Sequence, residues 1–365
     1  MNARRFFPIF SVVYTFIKIK DRFFLIVIIS NNMNEKIDFV ITWVDGSDPE
    51  WLKERYHYAL LEHKEIDNNN VRFRDWDTLR YWFRGVDKFA PWVNNVFFVT
   101  WGHVPKWLDA NHPKLKIVKH SEFIPSEFLP TFNSFVIEFY FHRIKGLSNR
   151  FVYFNDDMFL LNSVKPERFF KDGLPCDLAA MRTIINRGMF GTSIYSANML
   201  INEHFNKRES IKKNLPKWFN TTCTPFFFRN LAYYFIAGKW FPGFVDHHLP
   251  QGYLKKSYEE VWTHCGKDLH RISQNRFRQY GDVAHWLVRY WQIASGQFSP
   301  INPYKDGSYF FLNDENLKEI GNCIRNQTES VVCLNDTETD HFEESRDFLI
   351  ASFNDILPEK SSFEL

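Results

Sequence analysis

The chain has 365 residues, enough for one large α/β domain or two smaller ones with a substantial hydrophobic core. Its 45 Lys and Arg residues nearly balance its 43 Asp and Glu residues, which indicates neither a nucleic-acid footprint nor an acidic tail. Aromatic residues make up 18% of the sequence, and we expect most of them in the core and some as stacking platforms for sugars. The composition therefore favours a globular protein that does not bind nucleic acid.

The cysteines indicate neither a disulfide framework nor a zinc site, because their number is odd and no pair has CxxC spacing. They are Cys176, Cys223, Cys265, Cys323 and Cys333. A reducing, cytoplasmic setting fits this usage best.

The N-terminal stretch contains two apolar patches between residues 6 and 29. Charged residues from Lys18 to Arg22 interrupt them, so no uncharged span of about 18 residues is available to cross a membrane. No small-residue cleavage site follows, which argues against a signal peptide. We interpret residues 1–32 as an extension ahead of a translation start at Met33, and an anchor on the membrane surface is the alternative.

The first strand is predicted over Phe39 to Val44, an apolar β-branched and aromatic run. Asp45 and Gly46 then form a turn into a helix that begins near Glu50. Such a turn is where nucleotide-binding α/β folds receive their ligand. Because GxGxxG is absent, an ordinary strand-to-helix turn is the alternative.

The following segments alternate between helical and strand patterns. Apolar spacing predicts helices over residues 76–89, 105–109 and 135–144, and strands over residues 95–100 and 115–119. This alternation indicates βαβ units and a Rossmann-like, mainly parallel sheet, with a more helical C-terminal part. Arg72, just before the first of these helices, is a candidate phosphate contact, and an ion pair on a solvated face is the alternative.

A strand followed by acidic residues is predicted over Arg150 to Leu160, RFVYFNDDMFL. It delivers Asn155, Asp156 and Asp157 where the strand ends. Ligands of open α/β sheets sit outside the carboxyl ends of the strands, so the two carboxylates are candidate ligands for a divalent cation. The alternative is that they only cap the next turn.

Two histidine-containing stretches carry further candidate chemistry. Glu138 and His142 are four residues apart on a predicted helix and share a face, where they either do acid–base work or pair with each other. His247 and His248 are neighbours before Pro250. Adjacent side chains on an extended chain point in opposite directions, so we expect at most one of these two to serve a given centre.

Several long motifs occur in an order that resembles the Stealth family, the bacterial capsular polysaccharide phosphotransferases related to the lysosomal-targeting N-acetylglucosamine-1-phosphotransferase. They are IDFVITWVDGSDP from Ile37, RFRDWDTLRYWFRG from Arg72, LPTFNSFVIEFYFHRI from Leu129, RFVYFNDDMFL from Arg150, the HHLP stretch near His248 and RFRQYGD around Arg278. Together they span roughly residues 37–295.

This resemblance implies a transferase that moves a sugar 1-phosphate from a UDP-sugar to a hydroxyl of an acceptor glycan and releases UMP. Four positions match the family's catalytic residues: Glu138, Asp157, His248 and Arg278. Four match the turn that holds the nucleotide: Trp43, Val44, Asp45 and Gly46. Arg72, His142 and Arg143 complete the candidate substrate-binding set.

The chemistry of such a transfer suits these residue types. Charge develops on phosphate oxygens, so Mg²⁺ or Mn²⁺ held by Asp156 and Asp157 and the guanidinium of Arg278 are the stabilisers required. His248 would take the proton of the attacking hydroxyl, and Glu138 would orient either that histidine or the metal.

Two alternatives remain at this point: a conventional glycosyltransferase that releases UDP, and a non-catalytic glycan-binding protein. We expect a catalytic region over residues 33–298 and a polar C-terminal region over residues 299–365. The expected partners are the UDP-sugar and a glycan or lipid-linked oligosaccharide acceptor. The expected location is the cytoplasm, with peripheral association at the inner face of the plasma membrane.

Overall fold

The computed structural model describes residues 12–19, 22–29, 36–63, 74–337 and 339–365. The chain divides into two compact units, residues 1–36 and residues 37–365. In the first unit, strands β1 (Val12–Ile19) and β2 (Arg22–Ile29) pair antiparallel. The predicted start at Met33 lies outside the described residues.

The larger unit alternates helices and strands along most of its length. Its strands are β3 (Ile37–Thr42), β4 (Val96–Thr100), β5 (Leu115–Lys119), β6 (Arg150–Phe154), β7 (Met158–Leu160), β8 (Phe170–Lys171), β9 (Leu174–Asp177), β10 (Gln251–Leu254), β11 (Ser299–Pro300), β12 (Gly307–Leu312) and β13 (Val331–Asp336). Its α-helices are α1 (Pro49–Leu61), α2 (Leu79–Phe89), α3 (Ser134–Phe139), α4 (Gly188–His204), α5 (Lys207–Lys213), α6 (Leu215–Trp218), α7 (Phe227–Phe235), α8 (Lys255–Ser273), α9 (Trp286–Ser295), α10 (Leu317–Asn326) and α11 (Phe342–Ile356).

A five-stranded sheet in the order β10-β6-β3-β4-β5 organises this unit. β3 is parallel to both β4 and β6, β4 is parallel to β5, and β10 joins the β6 edge antiparallel. Because the chain builds outward from β3 to β5 and then returns to the other side of β3, the order reverses between β3 and β6. The predicted Rossmann-like, mainly parallel α/β fold is confirmed.

Alternate residues of the central strands pack into two hydrophobic cores, one on each face of the sheet. Val40 and Tyr153 belong to one core, which also contains buried residues of α3, α4, α8 and α9. Phe39 and Phe154 belong to the other, which also contains buried residues of α2, α10 and α11. The site-bearing strands are therefore covered by helices on both sides.

The residues after 299 form regular structure that completes the second core. β12 and β13 are parallel, and β13 pairs antiparallel with β7. Leu312, Ile324 and Val331 are buried in the same cluster as Phe39. The C-terminal region is thus part of the fold around the acidic turn that precedes β7.

Two predicted helices differ from the structure. The one predicted over residues 105–109 is wrong, because that segment forms turns and an isolated bridge between Leu108 and Glu364. The one predicted over residues 135–144 is shorter: α3 ends at Phe139, and Phe141–Arg143 form a separate 3₁₀ turn. No helix among the described residues combines the length and apolarity needed to cross a membrane.

Candidate active site

A cavity of about 1140 Å³ opens at the carboxyl edge of the central sheet. Residues after β3 and β6 line it, at the place where the strand order reverses. This is where open α/β sheets bind their ligands. Further lining residues come from α3, the loop before β10, the start of α9 and strands β12 and β13.

The acidic turn Asn155–Asp157 joins two sheets. β6 ends at Phe154 in the central sheet, and β7 begins at Met158 in the sheet with β13. The Met158 amide donates to the Asn155 carbonyl at 3.2 Å, and the Leu334 amide donates to the Asp157 carbonyl at 2.8 Å. These backbone bonds hold both carboxylates at the cavity wall.

Asp157 lies between groups from two distant parts of the chain. Its Oδ2 atom is 3.9 Å from His248 Nε2 and accepts a 3.4 Å hydrogen bond from the Asn335 amide. Burial raises the pKa of Asp157, but His248, Cys333 and Asn335 outweigh burial and hold it below its ordinary value. Its Oδ1 atom is enclosed and has no hydrogen-bond partner among the described residues.

Asp156 extends into the cavity and remains exposed to solvent. Loss of water within the cavity, followed by repulsion from Asp157, raises the pKa of Asp156 to about 7. Because the side chain stays exposed, water in the cavity moderates this effect. The pKa values of the two neighbouring carboxylates therefore shift in opposite directions. Both carboxylates can offer oxygen ligands to a cation.

The loop before β10 brings histidine to the same edge. β10 is antiparallel to β6, with Gln251 opposite Tyr153, so the residues just before β10 lie beside the end of β6. His248 adopts a left-handed backbone conformation, with φ of 41°, and its ring lies against Tyr309 at 5.2 Å between centroids. His247 is buried instead and its Nε2 lies 3.6 Å from Asp177, so only His248 faces Asp157.

A buried ion cluster fixes this loop. Arg289 on α9 and Asp177 on β9 are fully buried, with Arg289 Nη2 donating to Asp177 Oδ1 at 2.7 Å. Arg289 Nη1 also donates to Asp246 Oδ1 at 3.2 Å, immediately before the histidine pair. Burial lowers the pKa of His247 to about 4, with the Arg289 charge adding to this, so His247 is neutral at physiological pH. The cluster thereby ties α9, β9 and the histidine loop together.

Glu138 pairs with a histidine that the sequence did not single out. Its Oε2 atom lies 2.5 Å from Nδ1 of His285, which directly precedes α9. Burial raises the pKa of Glu138, but the His285 and Arg278 charges together with hydrogen bonds lower it overall. The alternative pairing of Glu138 with His142 is wrong, because the helix ends at Phe139 before it can carry both on one face.

Tyr153 connects Glu138 to the end of β6. Its hydroxyl oxygen lies 3.0 Å from Glu138 Oε1, 2.6 Å from Asn155 Oδ1 and 3.1 Å from Thr42 Oγ1. Burial and the Glu138 charge raise the pKa of Tyr153 well above its ordinary value, so the hydroxyl keeps its proton. This neutral hydroxyl links the carboxyl ends of β3 and β6 to α3.

Arg278 reaches the cavity from the loop between α8 and α9. Its Nη2 donates to Ser134 Oγ, and its guanidinium lies 4.3 Å above the Phe135 ring centroid. Buried Asp282 fixes this loop, since it accepts hydrogen bonds from Asn133 at 2.9 Å and from the Gln279 amide at 2.9 Å. Arg278 is therefore held beside the start of α3.

The turn after β3 contributes two residues to the cavity wall, Trp43 and Val44. The Asp45 amide donates to His103 Nε2 at 2.8 Å, and the Asp45 carboxylate accepts from the Ser47 amide at 2.9 Å. Asp45 thus stabilises its own turn, and neither it nor Gly46 is among the lining residues.

The structure brings seven candidate residues to one cavity: Trp43, Val44, Glu138, Asp156, Asp157, His248 and Arg278. His142 stacks on Tyr258 at 5.7 Å, Arg143 is exposed, and neither lines the cavity. Arg72 lies outside the described residues.

Four residues of the site were not predicted from the sequence: Tyr153, His285, Cys333 and Asn335. Cys333 lies within 4.8 Å of the Asp157 and His248 ligand atoms. The apolar run VVCL followed by Asn335 and Asp336 has the same strand-then-polar pattern as the acidic turn and was the available signal. The sequence signal for His285 is weak, because it is a lone histidine in an aromatic helical segment.

Comparisons with known proteins agree with this geometry. The family model of Stealth protein CR1, conserved region 1, matches residues 35–58, and that of Stealth protein CR2, conserved region 2, matches residues 72–176. The chain is 41% identical over 333 residues to the capsular polysaccharide phosphotransferase WcwK of Streptococcus pneumoniae, covering 91% of this chain and 100% of the relative.

Two further relatives are similar over a comparable length. The exopolysaccharide phosphotransferase cps2G of Lactiplantibacillus plantarum is 38% identical over 331 residues, with 90% of this chain and 96% of the relative covered. The receptor polysaccharide phosphotransferase WefC of Streptococcus gordonii is 39% identical over 348 residues, with 91% and 100% covered.

The fold, the site and these relatives define the chain as a transferase enzyme. It belongs to the Stealth family, which confirms the resemblance seen in the sequence.

Proposed function

We propose that this enzyme transfers a sugar 1-phosphate from a UDP-sugar to a hydroxyl of a capsular or other cell-surface glycan, with release of UMP. The names of its relatives support phosphotransfer onto such polysaccharides. The observation that carries the proposal is the meeting of Asp157, His248, Glu138 and Arg278 at one cavity. The cavity therefore contains anionic, cationic and proton-accepting groups, and phosphoryl transfer requires all three kinds of group.

In this reaction the acceptor hydroxyl attacks the phosphorus that carries the sugar. A new P–O bond forms, the bond to UMP breaks, and the hydroxyl proton leaves. We assign proton acceptance to His248, whose ring borders the cavity and whose Nε2 lies 3.9 Å from Asp157 Oδ2. The Asp157 carboxylate would stabilise the imidazolium that forms.

The second carboxylate–imidazole pair has a different proposed role. Glu138 is buried and carries a negative charge next to His285 and Arg278. This charge would hold the two basic side chains at the cavity wall, where they would face phosphate oxygens. We therefore assign Glu138 to positioning and Arg278 to phosphate binding.

The carboxylates fit a divalent cation, Mg²⁺ or Mn²⁺. Asp157 Oδ1 is enclosed without a hydrogen-bond partner among the described residues, and Asp156 projects into the cavity beside it. Both offer the hard oxygen ligands that these ions prefer. When bound, the ion would neutralise charge on the diphosphate.

The proposed partners are the UDP-sugar donor and a glycan or lipid-linked oligosaccharide acceptor. Trp43 and Val44, which follow β3 and line the cavity, would contact the donor. We propose a cytoplasmic location, with the enzyme at the inner face of the plasma membrane.

The test identifies the nucleotide released from UDP-N-acetylglucosamine in the presence of Mn²⁺ and a pool of capsular oligosaccharides. We expect UMP from the wild type, a loss of at least about a hundredfold in Asp157→Asn, and normal activity in the control Asp268→Asn. Asp268 is a carboxylate on α8 whose side chain is 41% exposed, and it does not line the cavity. Release of UDP would replace the proposal with a conventional glycosyltransferase.

If neither nucleotide is released, the binding of several nucleotide sugars is measured by calorimetry. Nucleotide-sugar binding that weakens in Asp157→Asn would support the proposed enzyme and indicate that a different acceptor is needed. Glycan binding without any nucleotide-sugar binding would favour the non-catalytic alternative.

A further inference from the structure

Helix α7 presents apolar side chains to solvent. Phe228, Leu231 and Phe235 are 81%, 37% and 67% exposed. Their spacing of three and four residues places them on one face of the helix. Helices at the surface of water-soluble proteins normally pack such an apolar face against the core.

The opposite face of α7 carries its polar anchor. Asn230 is fully buried, and its side-chain oxygen accepts from the Met181 amide at 2.9 Å while its amide donates to the Ala179 carbonyl at 2.8 Å. A buried amide satisfied on both sides fixes the rotation of the helix about its axis. The outward direction of the three apolar residues is therefore built into the fold.

The end of α7 is held by two cations from α5. Lys207 donates to the carbonyl of Ile236 at 2.6 Å, and Arg208 donates to that of Phe235 at 3.1 Å. The chain then continues with Ile236 and Trp240, which are 58% and 50% exposed. We call the five exposed residues Phe228, Leu231, Phe235, Ile236 and Trp240 the α7 surface.

Two basic residues border this surface directly, because Arg208 donates to the Phe235 carbonyl and Lys239 Nζ lies 4.6 Å from the Trp240 ring centroid. Residues 205–245 contain seven Lys and Arg residues and a single acidic residue, Glu209. Four of these basic residues are exposed: Arg208, Lys212, Lys213 and Lys239. Aromatic and aliphatic side chains next to Lys and Arg are the pattern of a protein face that lies in the headgroup region of an anionic bilayer.

We propose that the α7 surface docks on a bilayer containing anionic phospholipid. A second copy of the chain is a poorer occupant, because a twofold contact would bring the same basic segments together. Anionic headgroups complement these charges, while the acyl boundary accepts Phe228 and Phe235.

The α7 surface is coupled to the segment that borders the cavity. The Tyr233 and Thr183 hydroxyl oxygens are 2.8 Å apart, and the neighbouring residues Arg182 and Ile184 line the cavity. Docking through α7 would therefore bring one wall of the cavity toward the membrane. This inference specifies the surface for the membrane location proposed above and is independent of the bond that the enzyme breaks.

The test measures sedimentation of the purified full chain with sucrose-loaded vesicles of phosphatidylcholine, with and without phosphatidylglycerol. We expect binding to the anionic vesicles that weakens with salt. The double substitution Phe228→Ser and Phe235→Ser should weaken it by at least about tenfold, because two large apolar side chains no longer enter the bilayer. Lys239→Glu, next to Trp240, should weaken it and reduce its salt dependence.

The matched control is Leu60→Ser with Leu61→Ser, two leucines of α1 that are 71% and 61% exposed. This control should bind like the wild type, and all variants should keep wild-type activity on a water-soluble acceptor. Equal binding of the phenylalanine variant and the wild type would overturn the proposal, as would no binding to anionic vesicles. A dimer by light scattering that the phenylalanine variant abolishes, without vesicle binding, would identify a second copy instead.

Discussion

Replacing Arg289 with methionine should destabilise the protein strongly. Arg289 and Asp177 are fully buried, and three hydrogen bonds of 3.1, 2.9 and 2.7 Å join them. Methionine keeps most of the volume but leaves Asp177 and Asp246 without their cation. Because an uncompensated buried charge is costly, we expect a loss of about 3–5 kcal/mol in the free energy of unfolding.

The loss should also depend on pH in a defined direction. In the wild type, burial raises the pKa of Asp177 but Arg289 and His247 lower it below the unfolded value, so its stabilising effect is present at neutral pH and lost in acid. Without Arg289, burial dominates and the pKa lies above the unfolded value. Ionisation of the Asp177 carboxylate then opposes folding. The variant should therefore lose more stability at about pH 8 than at about pH 5.5.

Urea unfolding followed by tryptophan fluorescence measures both effects. The control is Arg325→Met, because Arg325 forms a 2.8 Å pair with Asp355 while their side chains are 32% and 59% exposed. We expect it to cost less than about 1 kcal/mol. Adding Asp177→Leu to Arg289→Met removes one stranded carboxylate and should recover part of the loss. A cost for Arg289→Met as small as that of the control would refute this reasoning.

Three other substitutions test the site. Tyr153→Phe removes the hydroxyl next to Glu138 and should lower kcat by about tenfold while circular dichroism is unchanged; unaltered kcat would remove Tyr153 from the site. Cys333→Ser should keep Mn²⁺ affinity by calorimetry within about threefold if oxygen ligands dominate, and a larger loss would indicate a thiolate ligand. His142→Gln should leave kcat within about twofold in the nucleotide-release assay, because His142 stacks on Tyr258 and does not line the cavity. A large loss of kcat would contradict the exclusion of His142 from the active site.

The sequence predicted those parts of the fold whose signals are local. The apolar run around Phe39 and the one before Asn155 became neighbouring parallel strands, and the helical spacing after Trp76 became α2. Strand-end carboxylates could be recognised because a buried parallel strand and a polar turn both have short-range patterns.

The remaining features depend on long-range contacts. Glu138 meets His285 only because α3 and the start of α9 pack on the same face of the sheet, which no periodicity in either segment reveals. Asn335 reaches Asp157 because β13 pairs with β7. The predicted helix over residues 135–144 failed for a local reason, since the chain tightens into a 3₁₀ turn after Phe139.

The pairing of β7 with β13 has a consequence for how the enzyme acquires activity during synthesis. Asp157 is translated early, but the strand that supplies Asn335 and Cys333 is among the last elements of the chain. Contacts between such distant segments form late, after a large loop has closed. Nascent or truncated chains that lack β13 should therefore be inactive and expose the apolar side of β7, so that activity appears only when the C-terminal strand has left the ribosome.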